Sequence, residues 1–314
     1  MKSKSVLIVL FAGVATAICG MPTNALGQIF VTNSGIDSAG VGLIPGSGSI
    51  GKYTISGSPL NPSLVAGLSN PVGLAVSGSN LFLANLGSGT INEYTTSGAT
   101  VNLSPIPTLG FPSSIAVSGG SLFVTNYVSG EINEYTTSGT AVTVPLIFGL
   151  NTPDGIAVSG GNLFVTDRGT GKIAEYTTSG TLVNPSLVSG LSNPIGIAIS
   201  GTNLFVTNFN TGIIGEYTTS GATVHASLVS GLVNPIGIAV FGGNLFVANR
   251  GTGTVGEYNA TTGATVNASL ITGLNTPFGI AVVPEPSTWA LAILGALSLS
   301  GFGRRRRCKR LAAL

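Results

Sequence analysis

Short apolar runs alternate with turns rich in Gly, Ser and Thr from Gln28 to Val283. In the stretch Thr152 to Ser192 the runs are Gly155 to Val158, Leu163 to Thr166, Ile173 to Tyr176 and Leu187-Val188. Each run has the length of a β-strand, roughly 4 to 6 residues, and Gly-containing hairpin loops separate them. No helical period is present. The pattern predicts a four-stranded antiparallel meander.

This unit repeats along the chain. Prolines that open each copy recur at intervals of 41, 41, 41, 41 and 42 residues, at Pro71, Pro112, Pro153, Pro194, Pro235 and Pro277. Tyrosines that close the third run recur every 41 residues, at Tyr53, Tyr94, Tyr135, Tyr176, Tyr217 and Tyr258. Six copies are therefore present, and the body is one array instead of the one or two ordinary domains that its length suggests.

Both faces of each predicted sheet are apolar, because Leu163 and Val165 point one way and Phe164 the other. A ring of sheets packed face to face buries both faces, and a period near 41 with four strands is typical of β-propellers. The innermost strand must be small where blades crowd the axis. Gly155 and Ala157 meet this need and recur in four other copies, and the remaining copy has Ser114 in place of the Gly.

The two ends of the array are complementary half units. The first copy begins with the second strand, Ile29 to Asn33, and the last stops after the first strand, Gly279 to Val282. Together they complete one blade. We therefore predict an all-β, six-bladed propeller of 41-residue four-stranded repeats whose ring is closed jointly by the N- and C-terminal half units. A parallel β-helix, the competing architecture, usually has shorter rungs and no use for half units.

Charge is scarce and lies mostly outside this body. Charged residues make up 7% of the chain, and six of the twelve cations lie in the last eleven residues. Between Gln28 and Val283 there are four cations against nine acids, a net charge of −5. A nucleic-acid partner is excluded, because no basic stripe is present to bind a phosphate backbone. Both cysteines, Cys19 and Cys308, lie in the terminal segments, so the body has neither a disulfide nor a cysteine metal site.

Both termini have the composition of export signals. Residues 1–27 contain Lys2 and Lys4, an apolar run from Val6 to Ile18 and then small residues, which predicts a secretory signal peptide cleaved near Gly27. Residues 284–314 contain the apolar segment 288–302, which is shorter than the roughly 20 residues of a comfortable membrane span, and a basic end. The arginines would stay in the cytoplasm and leave the body outside. The tail thus predicts a stop-transfer segment at the inner membrane.

The order of residues in this tail indicates its role more specifically than its hydropathy does. Pro284-Glu285-Pro286, then the apolar segment, then Arg304, Arg305, Arg306 and Arg307 closely resemble the PEP-CTERM sorting signal of Gram-negative bacteria that make an extracellular polymeric matrix. The resemblance implies an exosortase-type processing enzyme as a partner. It also implies transient anchoring in the inner membrane and delivery to the cell surface or matrix. An ordinary C-terminal anchor is the alternative.

The repeated phrase NPIGIAISGTNLFVTN, with its later EY, resembles the NHL repeat and the related six-bladed propellers of the gluconolactonase and strictosidine-synthase type. This fold hosts enzymes, adhesins and signalling scaffolds, so the resemblance implies a fold and not a reaction. Members of that family frequently have Asp after the second strand. In this chain only one copy has it, at Asp167. The other five copies have Asn33, Asn85, Asn126, Asn208 and Asn249.

Three sets of repeated or isolated polar residues have structural interpretations. The Asn/Asp set is expected to close turns, although oxygen ligands at these positions could also hold a cation. Each copy but the first has a Glu before its Tyr, and identical copies one blade apart are expected to be structural instead of an acid–base pair. His225 stands where other copies have Asn and is expected to be a surface substitution.

Positions where the copies differ are better candidates for binding. They are the residue after each Asn/Asp and the residue after each opening Pro, which the resemblance places on one rim of the channel. Candidate rim residues are Tyr127, Asp154, Arg168, Phe209, Arg250 and Phe278. Tyr and Arg dominate binding hot spots, but unconstrained drift of exposed loops explains the same variation. Asp154 and Arg168 could also simply pair with each other.

Two functions follow from these observations. The first is an exported, non-enzymatic binding or structural module without a cofactor, whose rim contacts an extracellular polysaccharide or a surface protein. The alternative is a lactonase- or lyase-like enzyme with a divalent cation such as Ca²⁺ in the channel, held by Asp154 with Asn126, Asn208 or Asn249. The inner strands supply mostly Gly, Ile, Ala and Val to the axis, which favours the first function.

Overall fold

The structure is a computed structural model that describes residues 27–35, 46–106 and 110–284 of the 314-residue chain. Three strands precede the first complete blade: β1 Gly27–Asn33, β2 Gly48–Thr54 and β3 Pro59–Leu68. Blade 1 consists of β4 Pro71–Ser77, β5 Asn80–Asn85, β6 Thr90–Thr95 and β7 Thr100–Ile106. Blade 2 consists of β8 Pro112–Ser118, β9 Ser121–Asn126, β10 Glu131–Thr136 and β11 Ala141–Ile147. Blade 3 consists of β12 Pro153–Ser159, β13 Asn162–Asp167, β14 Lys172–Thr177 and β15 Leu182–Val188. Blade 4 consists of β16 Pro194–Ser200, β17 Asn203–Asn208, β18 Ile213–Thr218 and β19 Thr223–Val229. Blade 5 consists of β20 Pro235–Phe241, β21 Asn244–Asn249, β22 Thr254–Asn259 and β23 Thr265–Ile271, and the last strand is β24 Pro277–Pro284.

Six four-stranded sheets form the predicted propeller. Blades 1 to 5 are meanders in chain order, and the sixth has the order β24-β1-β2-β3. The C-terminal strand β24 is therefore the innermost strand of blade 6, and the N-terminal strand β1 pairs beside it. This confirms that the two half units close the ring. Every blade then has its innermost strand supplied by a segment that begins with Pro.

Two devices join the innermost strands around the axis. The first is close backbone packing: a Cβ at Gly155 would collide with the carbonyl oxygen of Ile195 in the next blade, and the same holds for Gly196 against Ile236. The predicted small residues at the axis are thus required by contact between blades. The second is a threonine hydroxyl. In blade 3, Thr166 Oγ1 accepts from the Gly155 N–H at 2.8 Å and donates to the Ile195 carbonyl at 2.8 Å.

The same hydroxyl bridge occurs in four blades, at Thr32, Thr125, Thr166 and Thr207. In blades 2, 3 and 4 the bridge lies where the first two strands of the blade shift register, for example between Pro153 and Ile156. The hydroxyl therefore pairs backbone groups that the bulged ladder leaves without a strand partner. Blades 1 and 5 carry the fully buried Ala84 and Ala248 at this position and have no such hydroxyl.

The core lies between the blades. Phe164 packs against Ile197 and Leu204 of blade 4, whereas Leu163 and Val165 pack against Phe123 of blade 2. Both faces of each blade are therefore buried, as the sequence predicts. Burial of this core is the main stabilising contribution open to a body that lacks cysteine.

Two boundaries differ slightly from the predicted ones. The outer strand of blade 3 begins at Leu182, five residues before the predicted Leu187, because exposed residues before the apolar pair also join the ladder. The compact unit spans Gly27–Val283, so it includes Gly27 in addition to the predicted 28–283.

No helix in the described residues is long and apolar enough to cross a membrane. The predicted signal peptide, apart from Gly27, and the tail beyond Pro284 lie outside the described residues.

Candidate functional site

The end of the propeller where the second strands finish is called the rim end here. Its turns are fixed partly by the Asn/Asp set. Asp167 accepts the Asn151 N–H at 3.2 Å, and Asn208 accepts the Ser192 N–H at 3.0 Å. Asn126 receives longer bonds of 3.4 Å from the amides of Phe111 and Ser129. Asp167 also accepts the Thr170 N–H at 3.3 Å, so Asn126 and Asp167 bond within their own turns as predicted. Asn208 instead bonds the loop before β16.

The repeated glutamates lie toward the opposite end and clamp neighbouring strands. Glu175 accepts from Asn162 Nδ2 at 2.7 Å, and the same bond recurs in three other blades. His225 is exposed, as expected of a surface substitution, and its Nδ1 lies 2.7 Å from Glu216 Oε2. In blade 6 the equivalent residue is Lys52, which donates to the Thr96 carbonyl at 3.0 Å.

A pocket of about 340 Å³ opens at the rim end. We call it the rim pocket, and its lining residues are Val72, Leu86, Phe111, Ser113, Tyr127, Val128, Asp154, Arg168 and Phe278. They come from blades 6, 1, 2 and 3. Its volume falls in the range typical of small-ligand sites, roughly 300 to 1,000 Å³, and apolar walls with a few polar groups are usual there.

Arg168 is the residue that connects the blades at this pocket. Its Nε donates to Asn193 Oδ1, its Cζ lies 5.6 Å from the ring centroid of Tyr127, and its Nη1 lies 3.8 Å from Asp154 Oδ2. The side chain is still 32% exposed. The predicted pairing of Asp154 with Arg168 is thus present, but the 3.8 Å separation is longer than a hydrogen bond.

Asp154 is the buried acid of the pocket. It follows Pro153 at the start of β12, where the register shift lies, and only 4% of it is exposed. Burial raises the pKa of its carboxyl to about 6, and the positive charge of Arg168 lowers that pKa in part. A carboxyl that titrates near neutrality can hold or release a proton, which is the property of a general acid–base group.

The channel beneath the pocket offers less chemistry. A cavity of about 160 Å³ runs along the inner strands, lined mainly by Gly and Ile, with Asp154 and Phe278 at its border with the rim pocket. Asn126, Asn208 and Asn249 line neither cavity. The alternative cation ligands therefore share neither of these cavities with Asp154. Among the described residues, no three His, Cys, Asp or Glu side chains form a metal cluster.

The structure divides the predicted rim residues into two groups. Tyr127, Asp154, Arg168 and Phe278 line the rim pocket, whereas Phe209 and Arg250 lie in the equivalent turns of blades 4 and 5 outside it. Sequence reasoning missed Phe111 and Val128. The signal was available, because Phe111 stands where every other copy has Asn or Thr, and Val128 where they have Gly or Asn.

Three comparisons relate this fold to known proteins. A search of curated proteins finds no significant match. A chain in a crystal structure of a nidogen/laminin complex superposes with a TM-score of 0.67 at 18% identity, covering 82% of this chain and 98% of that chain. This likeness shows the fold alone.

The PEP-CTERM protein-sorting motif matches residues 282–307, which confirms the resemblance found in the tail and marks the chain for export and exosortase processing. The virginiamycin B lyase family matches residues 34–258, most of the propeller, and the chain belongs to this family.

Proposed function

We propose that the protein is an exported binding module that acts at the cell surface or in the extracellular matrix and holds its ligand in the rim pocket. The observation that carries this proposal is the convergence of Phe111, Tyr127, Phe278 and Arg168 on one cavity of about 340 Å³. Aromatic and Arg side chains around an open apolar cavity are the usual composition of a binding hot spot. The sorting motif supports delivery to the outside.

Retention in the matrix tests this function. A variant with Phe111→Asn, Tyr127→Ser and Arg168→Gln is compared with a variant carrying Phe209→Ser and Arg250→Gln in the producing bacterium. The second pair changes rim residues outside the pocket and is the matched control. We expect the first variant to be released into the medium and to lose its partners in a pull-down, while the control is retained. Equal retention of both variants and the wild type would refute the pocket as the binding site.

An enzymatic function is the second candidate, and two observations favour it. The family is named for a lyase, and Asp154 is a buried carboxyl in the pocket with a pKa raised to about 6. In such a reaction Asp154 would transfer a proton and Arg168 would stabilise negative charge on the substrate. Turnover of virginiamycin B, or of a lactone or ester panel, that is abolished by Asp154→Asn would establish this function. Calorimetric titration with Ca²⁺ tests whether a divalent cation takes part.

A further inference from the structure

The six copies of the repeat can be compared position by position at the rim end. Blade 2 differs from the others there, because apolar residues replace small or polar ones. Phe111 stands where the other copies have Asn or Thr, and Val128 where they have Gly or Asn. Phe148 stands where they have Ala, Pro, Ser or Thr. The exposed fractions of these residues are 50%, 63% and 77%. Three exposed apolar replacements in one blade of a nearly identical set indicate a surface used for contact.

These residues extend the rim pocket outward. Phe111 and Val128 line its wall, and Phe148 follows β11 at the same end of the same blade. The rim end of blade 2 therefore exposes apolar side chains both in the pocket and outside it. A surface of this kind fits a macromolecular partner better than a small soluble ligand, because a partner would also cover the side chains outside the pocket.

The pocket offers few free polar groups. The Ser113 hydroxyl lies 2.8 Å from the Thr125 hydroxyl and donates to the Pro153 carbonyl at 3.2 Å. The Asp154 carboxyl is the exception, since it lies 3.8 Å from Arg168 Nη1, which is beyond hydrogen-bond distance. A sugar ring would bring several hydroxyls into this apolar lining without partners, which costs free energy for each one. An apolar side chain has no such cost.

The distribution of charge on the propeller indicates which charged residue can lie beside that apolar side chain in the partner. The clamp positions near the opposite end hold five Glu and one Lys, a net −4. At the rim end the cations Arg168, Lys172 and Arg250 balance the acids Glu131, Asp154 and Asp167. An acidic partner is therefore repelled by the opposite end and not by the rim end. Arg168 has only its Nε–H in a hydrogen bond within the described residues, so its terminal amino groups can donate to an incoming carboxylate.

We infer that the rim pocket receives an aromatic or leucine-like side chain of a protein partner, and that an acidic residue next to it in that partner binds Arg168. This inference rests on the proposed binding function and names the class of partner. Tyr127 and Phe278 supply the walls of the pocket, Arg168 supplies the charge, and Phe111, Val128 and Phe148 cover the flanking chain.

Peptide binding to the full chain, purified in detergent, tests this inference by saturation-transfer NMR. The probe is an acetylated, amidated hexapeptide Gly-Ser-Phe-Asp-Gly-Ser, compared with versions carrying Asn for Asp or Ser for Phe. We expect binding of the first peptide and about tenfold weaker binding of each other peptide. Arg168→Gln is expected to remove the preference for Asp. Arg250→Gln, at the equivalent position of blade 5, is the matched control and is expected to keep it.

The outcomes separate this inference from the function on which it rests. No binding of the Phe-Asp peptide, or equal binding of all three peptides, would overturn the partner class. A glucuronate trisaccharide that binds through Arg168 while the peptides do not would also overturn it and would leave the binding function standing. Unfolding temperatures of both Arg variants check that each remains folded. Unchanged matrix retention of the triple pocket variant would refute the proposed function itself.

Discussion

The backbone N–H of Gly279 donates a hydrogen bond to the hydroxyl of Thr32 at 2.7 Å, across 247 positions of the chain. The same hydroxyl donates to the Val72 carbonyl at 2.8 Å. Thr32 thus joins the C-terminal strand of blade 6 to the first strand of blade 1. One buried side chain therefore links both halves of the shared blade to the next blade.

Thr32→Val is expected to destabilise the propeller. The substitution keeps the shape of the side chain but leaves the Gly279 N–H and the Val72 carbonyl without their partner in a buried site. The loss is about 1 to 3 kcal/mol, or roughly 2 to 8 °C in unfolding temperature for a domain of this size. Thr32→Ser, which keeps the hydroxyl, is the control in thermal unfolding of the full chain. Equal unfolding temperatures for Val and Ser variants would show that the bridge contributes nothing.

Ala248→Thr is expected to stabilise the propeller, because it adds the hydroxyl that blade 5 lacks. The new hydroxyl would occupy the position in blade 5 that is equivalent to that of Thr207 in blade 4. There the Thr207 hydroxyl accepts from the Gly196 N–H and donates to the Ile236 carbonyl. One added hydrogen bond contributes about 1 kcal/mol. Ala248→Val adds comparable volume without a donor and is the matched control. If the Thr variant unfolds no later than the Val variant, the bridge at this position has no net benefit.

Gly196→Ala is expected to destabilise the ring because its Cβ would collide with the Ile236 carbonyl of the next blade. Overpacking of this kind costs about 1 to 3 kcal/mol and sometimes more. Ser114→Ala is the control, since blade 2 already accommodates a Cβ at the equivalent position. Denaturant unfolding of both variants measures the difference. A Gly196→Ala protein as stable as the Ser114→Ala protein would mean that the inner strands can move apart freely.

Asp154 is expected to make the stability depend on pH. Its folded-state pKa of about 6 lies above the ordinary value of 3.8, so the folded state binds more protons between these values and the free energy of unfolding falls as pH rises from about 4 to 6. The full effect is on the order of 3 kcal/mol. Unfolding temperatures between pH 4 and 7 should fall for the wild type and stay flatter for Asp154→Asn.

Arg168→Gln provides a second measurement of the same group. Without the guanidinium, the contribution that lowers the pKa of Asp154 is lost, so the decline in stability should continue to higher pH than in the wild type. Identical pH profiles for the wild type and both variants would place the titration of Asp154 at its ordinary value.

The sequence by itself determined the architecture, because the repeat fixes it. Spacing of Pro and Tyr defines six units, the apolar runs define four strands, and the complementary ends define a shared blade. The small residues of the inner strand also follow from the sequence, since contact at an axis excludes side chains. The tail motif determined the route of export by its order of residues alone.

Only the tertiary structure decided which variable residues meet. Ring order brings Phe278 of the last strand beside Leu86 of blade 1 and Tyr127 of blade 2. Phe209 and Arg250, which look equivalent in the sequence, lie in blades 4 and 5 and line another part of the rim. Equivalent positions of the six copies cannot be distinguished by the repeat pattern. The curvature of the ring determines which loops share a cavity. The physical reason is that repeats encode contacts between neighbouring blades, while a site on the rim depends on side chains from several blades at once.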